Sequence, residues 1–251
     1  MLISVSDILK NSWEVYKKQW RGLVIYMAFL FIPYFAISVL GLAGVLLDSV
    51  FPESAIVSNI ILMALLVAGA LFSLWTSLAL TVALNNSLQG VAGMAWRDVF
   101  GKTAPRLWPF IYTSIIAALI IIGGALLLIV PGIIFAIWYA FITYSIVLEN
   151  KEGMDALNHS KGLVAGRWLA ILWRLLIPGI VFALVTAAVR LILVYPITYF
   201  IGSEVITQLV DNILTALISA AIAPVATLAA LNLYHSAVAT PMSPVPAAPK
   251  P

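Results

Sequence analysis

Long apolar runs separated by short polar connections set the pattern of this chain. Residues 7–20, DILKNSWEVYKKQW, place Leu9, Trp13, Tyr16 and Trp20 at spacings of 4, 3 and 4, which puts them on one helix face. Lys10, Lys17 and Lys18 lie off that face. The pattern predicts an amphipathic helix, capped by Ser6 or Asp7, in a membrane interface. Apolar runs follow at residues 23–47, 56–84, 109–130, 133–148, 169–189 and 205–231. Pro33 should kink the first or loosen one of its turns. Gly123 and Gly124 allow close helix contact in the third, and Pro131-Gly132 reads as a tight turn before the fourth. Residues 191–201 are apolar but carry Pro196, and read as a lip or re-entrant piece.

Several of these runs exceed the roughly 18 residues that cross about 30 Å of hydrocarbon. The fold class expected is an all-α polytopic membrane protein. Its six transmembrane helices form three hairpins, each preceded by a short interfacial helix. Composition agrees: 63% of the 251 residues are hydrophobic and 9% are charged, too little polar surface for a soluble globule. The alternating segments of an outer-membrane barrel are absent. The net charge of +3 sits at helix ends and does not point to nucleic acid. With no cysteine, disulfides, thiol catalysis and Cys-ligated metals are excluded. No cleavable signal peptide is evident.

Charge orients the spans. Lys10, Lys17, Lys18, Arg21, Arg97, Lys102, Arg106, Lys151, Lys161, Arg167, Arg174 and Lys250 fall on one side, and Arg190 on the other. Basic residues stay in the cytoplasm, so both termini are expected there. An offset of 148 aligns Asp7, Leu9, Ser12 and Trp20 with Asp155, Leu157, Ser160 and Trp168. An offset of 147 aligns Leu84-Asn85 with Leu231-Asn232. These matches suggest a pseudo-repeat about the membrane normal, with units at about 5–89, 94–150 and 155–235 inside a single domain of residues 1–235. Residues 236–251 read as a disordered, Pro-rich cytosolic tail.

Pro131-Gly132, Glu149, Ala156-Leu157-x-x-Ser160, Gly166-Arg167-Trp168 and Ser12-Trp13-x-x-Tyr16 together resemble the membrane domain of the glycerophosphoryl diester phosphodiesterase family and its stand-alone bacterial inner-membrane relatives. The resemblance implies six spans and a location in the bacterial cytoplasmic membrane. It imports no activity, because the phosphodiesterase reaction of fused members belongs to a barrel domain that is not present here.

The chemistry-bearing residues are few. His159 and His235 fall short of the three or four ligands of a metal site. Asp155 and His159 are spaced i, i+4 and read as a helical pair. No phosphate-binding glycine loop or nucleophile elbow occurs. No catalytic residue, metal or cofactor is therefore expected. Asn85, Glu149 and Asn232 end the even-numbered spans and form a candidate polar ring. Trp20, Trp108 and Trp168 stand where spans begin, as an interfacial rim. Arg174 could snorkel or pair with Glu149. Arg190 and Asp211 lie about 30 Å from the cytosolic interface along neighbouring helices, which predicts an ion pair, with Glu204 as the other candidate acid. The function expected is non-enzymatic, in association with membrane lipids or other membrane proteins. The alternative is a transporter or channel for a small or lipidic solute through a pore between the hairpins.

Overall fold

A computed structural model describes residues 2–90 and 95–240. Residues 241–251, most of the expected tail, lie outside the described residues. The described residues are almost all helical, with no strand among them. Helix α1 spans Val5–Val50 and α2 Ala55–Leu88. A short α3 (Trp96–Thr103) leads into α4 (Leu107–Leu127). Then come α5 (Ile129–Trp138), α6 (Ile142–Val147) and α7 (Gly153–Val164). Helix α8 (Trp168–Val189) passes through a π-turn at Arg190–Val194 into α9 (Tyr195–Tyr199), and α10 (Glu204–Ala239) completes the bundle. Six of these helical segments are long and apolar enough to cross a membrane.

Both described chain ends meet at one end of the bundle, called here the terminal end. The Ile3 amide donates to Ser236 Oγ at 2.8 Å. Helix α1 runs against α10 and α2. Most of the apolar core lies toward this end. It joins Ile8, Leu23 and Tyr26 of α1 to Leu80 and Leu84 of α2, Phe100, Phe141, Tyr144, and Leu228 to Ala237 of α10. Toward the opposite, far end many apolar side chains are exposed; Leu126, for example, is 82% exposed.

Several sequence expectations need correction. The amphipathic residues 7–20 are not a separate helix. They are the first turns of α1, whose 46 residues measure about 69 Å. The cap is Ser4, which accepts from the Asp7 amide at 3.2 Å and donates to Asp7 Oδ2 at 2.6 Å. Pro33 lies inside the continuous helix, as the sequence places it. It is buried against α2, where a Cβ on Gly69 would come within 3.0 Å of Ile37 and 3.3 Å of Pro33. The turn between α4 and α5 falls at Leu128, which is fully extended at φ −159° and ψ 143°. Pro131 sits in the first turn of α5, where its missing N–H costs nothing. Gly132 permits the hairpin to close: a Cβ there would reach 2.7 Å from that of Ala125.

The segment at 191–201 is not re-entrant either. The π-turn carries α8 straight into α9. Pro196 has no N–H for the Ile192 carbonyl and its ring crowds that carbonyl. The backbone widens, and the Tyr195 amide reaches back to the Arg190 carbonyl. The last helix also continues through Ala239, so residues 236–239 belong to α10 rather than to a tail.

Candidate functional site

The short motifs in the second half of the chain have structural work at the terminal end. The fourth crossing is broken between Trp138 and Ile142, which leaves backbone groups without helical partners. Ser160 of α7 fills the gap: it donates to the Trp138 carbonyl at 2.7 Å and accepts from the Phe141 amide at 3.1 Å. Gly166 takes φ 85°, open to glycine, and turns the chain after α7. Arg167 then donates to the carbonyls of Leu163, Ala237 and Thr240 at 2.7–2.9 Å, and so ties the end of α7 to the end of α10. Arg174 does not pair with Glu149; it donates to the Ile3 carbonyl at 2.7 Å and to Ala170 at 2.9 Å.

Asn85, Glu149 and Asn232 each contact a different partner at this end. Asn85 Oδ1 stands 2.8 Å from His235 Nε2. Glu149 accepts from the Tyr234 hydroxyl at 3.0 Å. Asn232 donates to Ser12 Oγ at 3.1 Å. The three side chains cross-link α1, α2, α10 and the end of α6, among fully buried Leu84, Leu228 and Leu231. His159 does not share a hydrogen bond with Asp155; its Nδ1 lies 2.9 Å from Ser145 Oγ, on a serine with no exposed surface. Among the described residues no group of three or more His, Cys, Asp or Glu could hold a metal ion. Of the tryptophans, Trp20 and Trp108 are exposed, while Trp168 packs against the core.

The far end differs. A cleft of about 530 Å³ opens between α1 and α10. It is lined by Tyr34 and Ser38 of α1, by Asp211, Asn212, Thr215 and Ser219 of α10, and by Arg190 at the end of α8. Alanines 216, 220 and 223 of α10 leave the space that larger side chains would fill. A second groove of about 300 Å³ shares Ile37, Ser38 and Asn212 with it and extends toward Gln208. Arg190 Nη2 stands 2.9 and 3.0 Å from the two oxygens of Asp211. Glu204 takes no part in this contact. The pair also borders a third groove, of about 440 Å³, lined by Tyr195 and Thr198. The π-turn begins at Arg190, and such turns recur at functional sites. Thr215 Oγ1 is buried and has no hydrogen-bond partner among the described residues.

The sequence points to Arg190 and Asp211 as a pair, while the cleft around them emerges from the fold. The signal was there in the spacing. Asp211, Thr215, Ser219 and Ala223 recur every fourth residue, so one face of the sixth span is polar or small. Tyr34 and Ser38 repeat that spacing on α1. The clefts at this end match the size of ordinary ligand sites, roughly 300–1,000 Å³.

Comparison with known proteins places the chain in a family without giving it an activity. No curated protein matches it, and no solved structure does. Residues 99–237 match the family model described as a domain of unknown function, DUF7847. That segment is more than half of the 251 residues and contains Glu149, Ser160, Arg167, Arg190, Asp211 and Tyr234. On that match the chain belongs to the DUF7847 family.

Proposed function

We propose that this is a non-enzymatic, multi-pass protein of the bacterial cytoplasmic membrane that holds part of a membrane lipid in its far-end cleft. Both termini are cytosolic in this reading, and the far end faces outward. The excess of Lys and Arg at the terminal end supports that orientation. The family resemblance drawn from the sequence motifs supports the choice of membrane, and the matches between Asp7 to Trp20 and Asp155 to Trp168 keep the pseudo-repeat as part of the proposal. The exposed pairing of Lys17 with the Trp13 ring and of Arg21 with the Trp20 ring, at 5.9 and 5.8 Å, suits a segment at a headgroup surface.

One observation carries the lipid reading: the 530 Å³ cleft between α1 and α10. From Asp211 to Ala223 it follows about 18 Å of helix, from the outer edge of the hydrocarbon toward mid-membrane. The walls are mainly apolar, and the charged pair stands at the level where headgroups begin. An acyl chain would lie along α10 with its polar end at Arg190 and Asn212. The alternative function, transport through a pore between the hairpins, requires a path at the terminal end. The side chains of Leu84, Leu228, Leu231 and Tyr234 are packed there, and no observation favours such a path.

Photo-crosslinking tests the lipid reading. The full chain would be reconstituted in nanodiscs containing a phospholipid with a diazirine near the middle of one acyl chain. Adducts should concentrate on peptides covering residues 30–38 and 211–223. Adducts spread evenly over the apolar surface would reject the cleft as a lipid site.

A further inference from the structure

We propose that the Arg190–Asp211 pair reads the headgroup of that lipid, and that it selects a zwitterionic phospholipid bearing a primary ammonium group. The inference rests on the reading of the cleft as a lipid site and adds the chemistry of recognition. The pair is half used on both sides. Both oxygens of Asp211 take the same nitrogen, Arg190 Nη2. Among the described residues Nε and Nη1 have no acceptor, although a guanidinium carries five N–H donors in a fixed fork. Asp211 likewise keeps lone pairs beyond the two that are engaged. The side chains are 43% and 34% exposed, so both can meet a ligand while they hold each other.

A pair of this kind presents a positive and a negative pole side by side. A phosphate oxygen can accept from the free Nη1 or Nε of the guanidinium, a charge-assisted contact. A primary ammonium on the same headgroup can donate to Asp211. A headgroup with a phosphate but no cation leaves Asp211 facing its negative charge, and a quaternary ammonium has no N–H to give. Discrimination therefore comes from Asp211, and general retention from Arg190. The hydroxyl of Thr215 lies one helical turn deeper than Asp211 and has no partner; the ester oxygens of the lipid would reach that depth. No other charged side chain lines the cleft.

The experiment is native mass spectrometry of the full chain ejected from nanodiscs that hold equal amounts of dioleoyl phosphatidylethanolamine and dioleoyl phosphatidylglycerol. Retained phosphatidylethanolamine should exceed phosphatidylglycerol by roughly fivefold, the upper reach of one part-exposed charge pair. Asp211→Asn should bring the ratio close to one while retention continues. Arg190→Gln should lower retention of both lipids. In a second bilayer, phosphatidylcholine in place of phosphatidylethanolamine should show no enrichment. Retention of both lipids in their bulk ratio by the unaltered chain would overturn the headgroup assignment and leave the cleft as a chain site. Absence of retained lipid, together with scattered photo-adducts, would remove both readings. The wild-type ratio needs no variant to fold.

Discussion

The two ends of the bundle are built from the same kind of helix and pack in opposite ways. At the terminal end, bulky side chains interlock: the Tyr234 ring stacks on Tyr144 with centroids 4.9 Å apart and meets Phe141 edge-on at 5.7 Å. Several polar side chains there pair across helices, as Asn85 with His235 and Asn232 with Ser12, while Asn86 Nδ2 and Trp138 Nε1 are buried without a partner among the described residues. At the far end, helices of equal hydrophobicity stand apart, with alanines and single polar groups along the cleft. Hydrophobicity alone does not separate the ends, because lipid satisfies an outward leucine as well as a neighbouring helix does. The difference lies in side-chain volume and in how many polar side chains bond from one helix to another. Stability should therefore reside at the terminal end, and adaptability at the far end.

The largest expected effect breaks the packed end. Tyr234→Ala removes a ring that is 1% exposed and should cost roughly 3–5 kcal/mol. Leu127→Ala at the far end, where the side chain is 81% exposed, should stay within about 0.5 kcal/mol. Reversible unfolding of both variants in mixed detergent measures the contrast, and equal losses would abolish the distinction between the ends.

A smaller effect tests the hydrogen bonding. Ser160→Ala strips partners from the Trp138 carbonyl and the Phe141 amide at once. Leaving such groups unpaired should cost about 2–3 kcal/mol. Ser38→Ala is the control at the far end, since that hydroxyl bonds only within its own helix, to Tyr34. Its expected cost is a few tenths, on the order of a surface change. A Ser160→Ala variant as stable as Ser38→Ala would mean that the break in the fourth crossing is held by something else.

These two ends also differ in how much of them the sequence reveals. The six apolar stretches and the polar connections follow from hydropathy, because span length is fixed by the bilayer. The continuity of α1 does not: Lys17 and Lys18 look like an interfacial boundary, yet good helix formers run straight through from Val5. Pro131 and Pro196 misled for a common reason. Each removes one N–H, and the backbone absorbed the loss in a first turn and in a π-turn. Ser160 and Arg167 stood out as motif residues, but their bonding to backbone carbonyls depends on tertiary contacts that spacing cannot show. The Arg190–Asp211 contact could be anticipated, because equal helix rise from one interface sets both at one level. The cleft beside it depended on reading small residues as space.

The far-end pair gives a prediction of intermediate size. Arg190→Gln and Asp211→Asn, singly and together, form a double-mutant cycle. With both side chains more than a third exposed, a coupling of about 0.5–1 kcal/mol is expected after solvent screening. Additive effects would take the pair out of the stability of the bundle, and would make the far end purely a site for what enters from the bilayer.

The smallest effect should come from pH, through the histidines of the terminal end. Burial holds the His159 imidazole below its usual titration range, the Lys151 ammonium pushes the same way, and Glu149 opposes them. Ser145 Oγ donates to the Phe141 carbonyl at 3.1 Å, so the 2.9 Å contact with His159 Nδ1 reads as Nδ1–H donating to the serine oxygen. That hydrogen bond survives protonation of the other ring nitrogen. The cost of protonation then lies in desolvation and in Lys151. The unfolded chain titrates near the ordinary value of about 6.5 and binds its proton at a higher pH than the folded chain does. The stability from neutral His159 is thus complete above about pH 6.5 and is lost as pH falls through the lower folded value. Unfolding followed from pH 7.5 downward should show declining stability below that point. His159→Gln, which can keep the bond to Ser145 without titrating, should reduce the decline and leave the share of His235, whose imidazole is also held below its usual range by burial. A slope that persists unchanged in His159→Gln would assign the pH response to another group.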